Sequence, residues 1–166
     1  MLQPLVRRTW APRGQTPLQH SWDRHDRLSV VSALSLAPYR RRLGLYFQIH
    51  GHNIRTEQVV VFLCQVHRCL PRRIILILDR WSVPRAAVRK LGQRGARWLQ
   101  VEWLPAYAPE LNPIEGVWNH TKYADLANCI PQDVEHLRAE VQASISAKRS
   151  CPELLCSFFK HAGLQL

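Results

Sequence analysis

An α/β fold, a mixed β-sheet flanked by helices, is the architecture that the apolar patterning of this chain predicts. Three observations carry that expectation. The run Ile74-Ile75-Leu76-Ile77-Leu78 has no polar alternation, as expected of a central strand covered on both faces. Ahead of it, two apolar stretches at 28–36 and 43–49 flank a turn containing Pro38 and Arg40-Arg41-Arg42, the arrangement of an antiparallel hairpin. Helical and strand periodicities then alternate, which puts helices on both faces of a sheet.

Taken in order, residues 1–27 are punctuated by Pro4, Pro12, Gly14 and Pro17 and are expected to be irregular or a short hairpin. The hairpin follows. From Asn53 to Leu70 the period changes: Ile54, Val59, Phe62, Leu63, Val66 and Leu70 share one helical face, with Thr56 as a candidate cap and Pro71 as the stop. The 74–78 strand stops at Asp79. Residues 84–92 suggest a short helix closed by Gly92 and Gly95, and 99–104 another strand. A proline-rich loop, 105–113, leads into a helix from Pro113 to about Tyr123. Two more helices are expected at 131–148 and 151–162, with Pro131 and Pro152 in their first turns. The 166 residues suit one domain: the irregular segment 1–27, a core at 28–125 and C-terminal helices at 131–163.

Composition narrows the function classes. Apolar residues make up 46% of the chain, enough for a packed core and against disorder. The formal charge of +11 points to a polyanionic partner: DNA, RNA or an anionic membrane. The longest apolar runs fall far short of the ~18 residues that cross a bilayer, and the first residues do not resemble a secretory signal. No membrane is therefore expected, and nucleic acid is the better partner. The five cysteines form no Cys-x-x-Cys pair and no zinc-finger spacing, so they are expected to be reduced, mostly structural thiols of a cytoplasmic protein.

Two acidic positions stand out. Asp79 ends the most apolar strand, and sites of open α/β sheets gather at strand ends. A carboxylate there caps the next helix or is solvated, paired or metal-bound. Glu115 lies three residues after Asn112, a good N-cap, with Pro113 at the first helical position. It either reaches back to the Asn112 N–H as a capping box or is held at the helix start facing another carboxylate. Converging carboxylates bind hard divalent cations, and such ions drive phosphoryl transfer. Thirty-five residues separate the two acids, enough for one short helix, one strand and a loop to bring the chain back to the same sheet end. Their oxygens are then expected on the order of 4–8 Å apart, given the ~4 Å spacing of two-metal sites.

The segment LPAYAPELNPIEGVWNHTKY (residues 104–123) resembles a signature of mariner-like insertion-sequence transposases, members of the DDE superfamily of endonucleases. RRTWAPRGQTP (7–17), QHSWDRHDRLSVVSAL and LYFQIHGHNIRTEQVVVFL are similar to the stretches that follow that family's first catalytic Asp, so the resemblance covers nearly the whole chain. It implies a ribonuclease-H-like fold, metal-dependent DNA strand cleavage and transfer, and Mg²⁺ or Mn²⁺ as cofactor, two ions in the intact site. It makes Glu115 the third member of an Asp-Asp-Glu triad and Asp79 the second, both catalytic metal ligands. It supports Lys122, seven residues after Glu115, as a DNA phosphate contact; a solvated lysine is the alternative.

The sequence also departs from the family pattern. Residues 1–22 contain no Asp or Glu, so the first triad Asp and the strand it ends are expected to be missing, with that strand's place in the middle of the sheet. Asp23 and Asp26 precede the expected second strand and are not candidates to replace it. Arg80 stands where Asn is common, and Pro84 where His is common. The upstream helix-turn-helix of the family is not found here. The expected function is therefore a DDE-type transposase acting on transposon ends and target DNA, inactive as this truncated chain; a catalytically dead DNA-binding or regulatory fragment is the alternative. A homodimer is one assembly compatible with this, and association with the bacterial nucleoid would follow from DNA binding. Among other residues, Arg40, Arg41 and Arg42 are candidates for backbone phosphate contacts or a solvated turn. Trp118 is expected in the core. His50 and His52 lack a third ligand and are expected to be loop residues.

Overall fold

Side chains along a strand alternate between two faces, and the first hairpin uses both. β1 (Ser29–Leu36) and β2 (Leu43–His50) pair antiparallel, with Ser29 opposite His50 and Leu36 opposite Leu43. Val30, Leu34, Leu43, Leu45, Phe47 and Ile49 pack to one side, and Val31, Ala33 and Tyr46 to the other. In the computed structural model, which describes residues 10–15, 27–37 and 42–165, this ribbon separates two apolar clusters.

One cluster is built on α1 (Thr56–Cys69), which buries Val59, Val60, Phe62, Leu63 and Val66. Thr56 is the first helical residue rather than the cap; the flanking Arg55 N–H donates to Gln58 Oε1 at 3.0 Å. The chain continues through β3 (Ile74–Leu78), α2 (Ser82–Gln93) and β4 (Leu99–Trp103). β3 and β4 are parallel, Ile74 opposite Leu99 and Leu78 opposite Trp103. α2 starts at Ser82, earlier than the expected residue 84, because Pro84 falls in the first turn, where its missing N–H has no intrahelical acceptor to lose. Ala87 and Leu91 of α2, with Ile74, Leu76 and Leu99, complete this cluster.

β3 is not covered on both faces. Ile75 and Ile77 point away from α1 and α2 and are 65% and 59% exposed. The continuous apolar run thus sits on a strand with one covered face, since no described element packs over the other. The four strands among the described residues also form two separate pairs, β1–β2 and β3–β4, rather than one continuous sheet. Both pairs lean on the α1–α2 cluster, yet no described segment supplies a strand to bridge them.

The second cluster lies across the hairpin. α3 (Pro113–His120) runs directly into a π-helical turn (Thr121–Asp125), followed by α4 (Val134–Arg149) and α5 (Pro152–His161). α4 does not begin at Pro131: the Asp133 carboxylate accepts the His136 N–H at 2.7 Å and sets the start three residues later. Pro152 opens α5 as expected. Leu28, Leu45, Val117, Leu126, Leu137, Val141, Ile145, Leu155 and Phe158 are buried together here.

Two details tie α3 to the helices behind it. Gly116 faces Phe158 of α5 so closely that a Cβ at residue 116 would lie 2.7 Å from the ring. Lys148, at 2% exposure, is buried on α4. It is ion-paired with Asp125 of the π-helical turn, and Ser144 Oγ lies 2.6 Å from the same carboxylate and 2.8 Å from the lysine Nζ. Burial alone would raise the Asp125 carboxyl. The hydrogen bonds from Lys148 and Ser144, with the charges of Lys148 and His120, outweigh burial and hold it below the usual aspartate range.

Candidate active site

The parallel ladder carries on past the last residue of β4. The Leu104 N–H donates to the Leu78 carbonyl at 2.8 Å, so Asp79 and the 104–112 loop leave the sheet side by side. Arg80 strengthens that junction, its Nε donating to the Leu104 carbonyl at 3.2 Å. The loop turns through Tyr107, a fully exposed residue with φ of 60°, and tightens into a 3₁₀ turn at Pro109–Leu111. That turn delivers Asn112, whose side chain accepts the Ile114 N–H at 3.4 Å and starts α3.

This geometry decides between the two roles open to Glu115. The Asn112 N–H is already taken by the Pro109 carbonyl at 3.0 Å, so there is no capping box for Glu115 to complete. Among the described residues its carboxylate accepts no hydrogen bond and forms no ion pair. Glu115 instead lines a cavity of about 380 Å³ together with Asp79, Arg80, Trp81, Tyr107 and Asn112. Burial first, and then the negative charge of Asp79, push the Glu115 carboxyl above the usual glutamate range. The two acids are thus close enough to repel each other. Among the described residues Asp79 has a single loose contact, Oδ1 accepting the Trp81 N–H at 3.4 Å, which leaves most of its acceptor capacity unused there.

Two carboxylates in one concave site, without a neutralising ion pair among the described residues, fit a hard divalent cation, which takes oxygen ligands. Among the described residues no group of three or more His, Cys, Asp or Glu comes together to hold a metal. Glu110 is exposed in the 3₁₀ turn and does not line the cavity. Asp23 and Asp26 lie outside the described residues.

The other candidates fall elsewhere. Lys122 does not line the cavity; it lies in the π-helical turn with its ammonium 5.3 Å from the Tyr123 ring centroid. Arg42 is exposed at the start of β2, and its carbonyl accepts the Ala37 N–H at 2.9 Å; Arg40 and Arg41 lie outside the described residues. Trp118 packs on the second apolar cluster, in keeping with a core residue. The His50 and His52 rings are 5.5 Å apart, with burial first, then His52 and Arg138, lowering the pKa of His50. Sequence reasoning gave no role to Trp81 or Tyr107, which the structure puts on the cavity wall. Tyr107 lies within the 104–123 motif, whereas nothing local marks Trp81.

Residues 1–138 match the family model described as DDE superfamily endonuclease. The chain belongs to the DDE superfamily of endonucleases. No curated protein matches this sequence. Its structure is similar to that titled crystal structure of the Mos1 strand transfer complex, with a TM-score of 0.58 at 15% identity. The match covers 98% of this chain and 48% of the other, so the chain spans about half the length of that relative. At this identity the likeness is one of fold, and it bears out the ribonuclease-H-like α/β architecture that the family resemblance implied. Endonucleases of this superfamily generally use divalent metal ions. No helix among the described residues is long and apolar enough to cross a membrane.

Proposed function

We propose that Asp79 and Glu115 are metal-binding carboxylates of a DNA strand-cleavage and strand-transfer centre of the DDE transposase type. The observation that carries this reading is the state of Glu115. It stands at the start of α3 with no capping role, in a shared cavity with Asp79, and repelled by it. A structural carboxylate would be expected to have a partner. A divalent cation, Mg²⁺ or Mn²⁺, would supply the positive charge that activates a water and stabilises the leaving oxygen at a phosphodiester. The protein's part is to hold the two acids at a fixed separation, Asp79 from the end of β3 and Glu115 from the start of α3. Arg80 supports the same wall through the Leu104 carbonyl. The substrate is DNA, in line with the basic charge of the chain and with the strand transfer complex named in the structural relative.

The family pattern uses three carboxylates and two ions, and Asp79 and Glu115 match two of the three. A second reading follows from that count. On this reading the polypeptide 1–166 binds DNA and a metal but cuts poorly, and it acts as a DNA-binding or regulatory fragment.

Metal binding and cutting are measured separately. Added Mn²⁺ is expected to raise the Tm of the unaltered protein by a few degrees, since a ligand of the native state stabilises it. Glu115→Gln is expected to raise the Tm without metal, by relieving the repulsion from Asp79, and to remove most of the response to Mn²⁺. An unchanged response in both Glu115→Gln and Asp79→Ala would overturn the site. Nicking of a supercoiled plasmid that needs Mg²⁺ or Mn²⁺, and is lost in Asp79→Ala and Glu115→Ala, supports cleavage by this polypeptide. Metal binding without nicking supports the second reading.

A further inference from the structure

Between Asp79 and Glu102 the chain carries six cations, Arg80, Arg85, Arg89, Lys90, Arg94 and Arg97, and no acid. The cations of α2 are sorted by face. Lys90, beside the core-facing Ala87 and Leu91, is ion-paired with Glu57 of α1. Arg85 and Arg89 lie on the opposite, exposed face with Ser82 and Gln93. Neither forms an ion pair among the described residues, and no acidic residue shares their helix. The two are one turn apart, a rise of about 6 Å along the axis. Their face begins at Ser82, three residues beyond Asp79, so it starts at the rim of the cavity and leads away from it.

We propose that the outer face of α2, through Arg85 and Arg89, is a docking surface for the phosphate backbone of duplex DNA flanking the reacting phosphodiester. This rests on the DNA-cleavage reading of the Asp79–Glu115 cavity and adds the path by which the duplex reaches it. Charge complementarity supports the occupant. Exposed arginines without acidic partners cost little to redirect, and a guanidinium makes paired hydrogen bonds to phosphate oxygens. Adjacent positions along one helix face suit neighbouring phosphates of one strand. Such contacts hold the duplex in position without reading its sequence.

The test is a salt titration of duplex binding by fluorescence anisotropy, in EDTA so that metal plays no part. The full chain is compared with Arg85→Ala/Arg89→Ala and with Arg72→Ala/Arg73→Ala. The second pair removes equal charge from exposed positions at the opposite end of β3 from Asp79. Circular dichroism melts check that both variants fold. The expected result is a roughly tenfold loss of affinity for the α2 variant near 0.1 M salt, and a log–log salt slope shallower by about 2. The Arg72/Arg73 variant keeps most of its affinity and slope. Equal losses in both variants would mean a diffuse field rather than a surface, and would overturn the proposal. So would an unchanged α2 variant, or no duplex binding by the full chain. The Arg85→Ala/Arg89→Ala variant is expected to keep the Tm response to Mn²⁺, so failure of the metal site and failure of the docking surface remain distinguishable.

Discussion

The two sides of the β1–β2 hairpin are built to different standards of closure. On the side of α3, α4 and α5, nine buried residues form one cluster, and even a lysine is enclosed with its acidic partner and a serine. On the side of β3 and β4, two isoleucines of a strand face solvent, and the strand pair stands apart from the hairpin. The cavity draws one acid from each side. Asp79 comes from the open side, at the end of a strand with one covered face. Glu115 comes from the closed side, at the start of a helix locked against α5. The comparison teaches that the fixed member of the pair is the one on the helix, and that packing behind a site can be more complete than the sheet that defines its floor.

The largest effect expected is on the closed side. Ile145→Ala removes a fully buried side chain from α4 and is expected to cost about 3 kcal/mol, read from the midpoint of a urea melt. A cost below about 1 kcal/mol would mean that this cluster is as loosely held as the open side.

A smaller effect sharpens the same contrast. Asp125→Asn removes the charge paired with Lys148, and is expected to cost about 1 kcal/mol near neutral pH, because the carboxylate is about a third exposed and partly screened. The sign with pH follows from the lowered pKa of Asp125. Its contribution is complete above the ordinary aspartate value of about 3.9 and is lost as the pH falls through the depressed value of the folded state. The gap between melts of the two proteins should therefore stay constant from pH 7 down to about the ordinary aspartate value and begin to narrow as the pH falls below it. A gap that widens on acidification would contradict the buried ion pair.

The smallest effect belongs to the open side. Ile75→Thr/Ile77→Thr is expected to change stability by less than about 0.5 kcal/mol, since exposed positions away from special features tolerate exchange. A loss of several kcal/mol in the same urea melt would show that this face is covered in solution.

Much of this was legible in the sequence. The four strands and the helices rest on period and on turn residues, and Asn112 and Pro152 mark helix starts through chemistry that is entirely local. That Asp79 and Glu115 line one cavity was legible, because a motif and a strand end both point there. What escaped depended on distant partners. Pro131 looked like a helix start, but the carboxylate of Asp133 won the cap. Nothing in the local sequence marks Lys148, in the last turn of its helix, because only the fold brings Asp125 and Ser144 to it. The run at 74–78 gave no sign that one face would stay open, because an apolar strand carries no record of which neighbours it has. Whether Glu115 capped its helix turned on one backbone N–H, and the carbonyl that takes it comes from a 3₁₀ turn that periodicity does not register.

Gly116 gives the closed side a mechanical meaning. With no side chain between α3 and the Phe158 ring, the gap between the helices is set by backbone against aromatic face, much as a gauge block sets a jaw. The acid next to that glycine inherits the setting. Residue 158 lies beyond the stretch matched by the family model, which ends at 138. The stretch matched by the family model thus contains Glu115, while the ring that sets its height is carried by a helix outside that stretch.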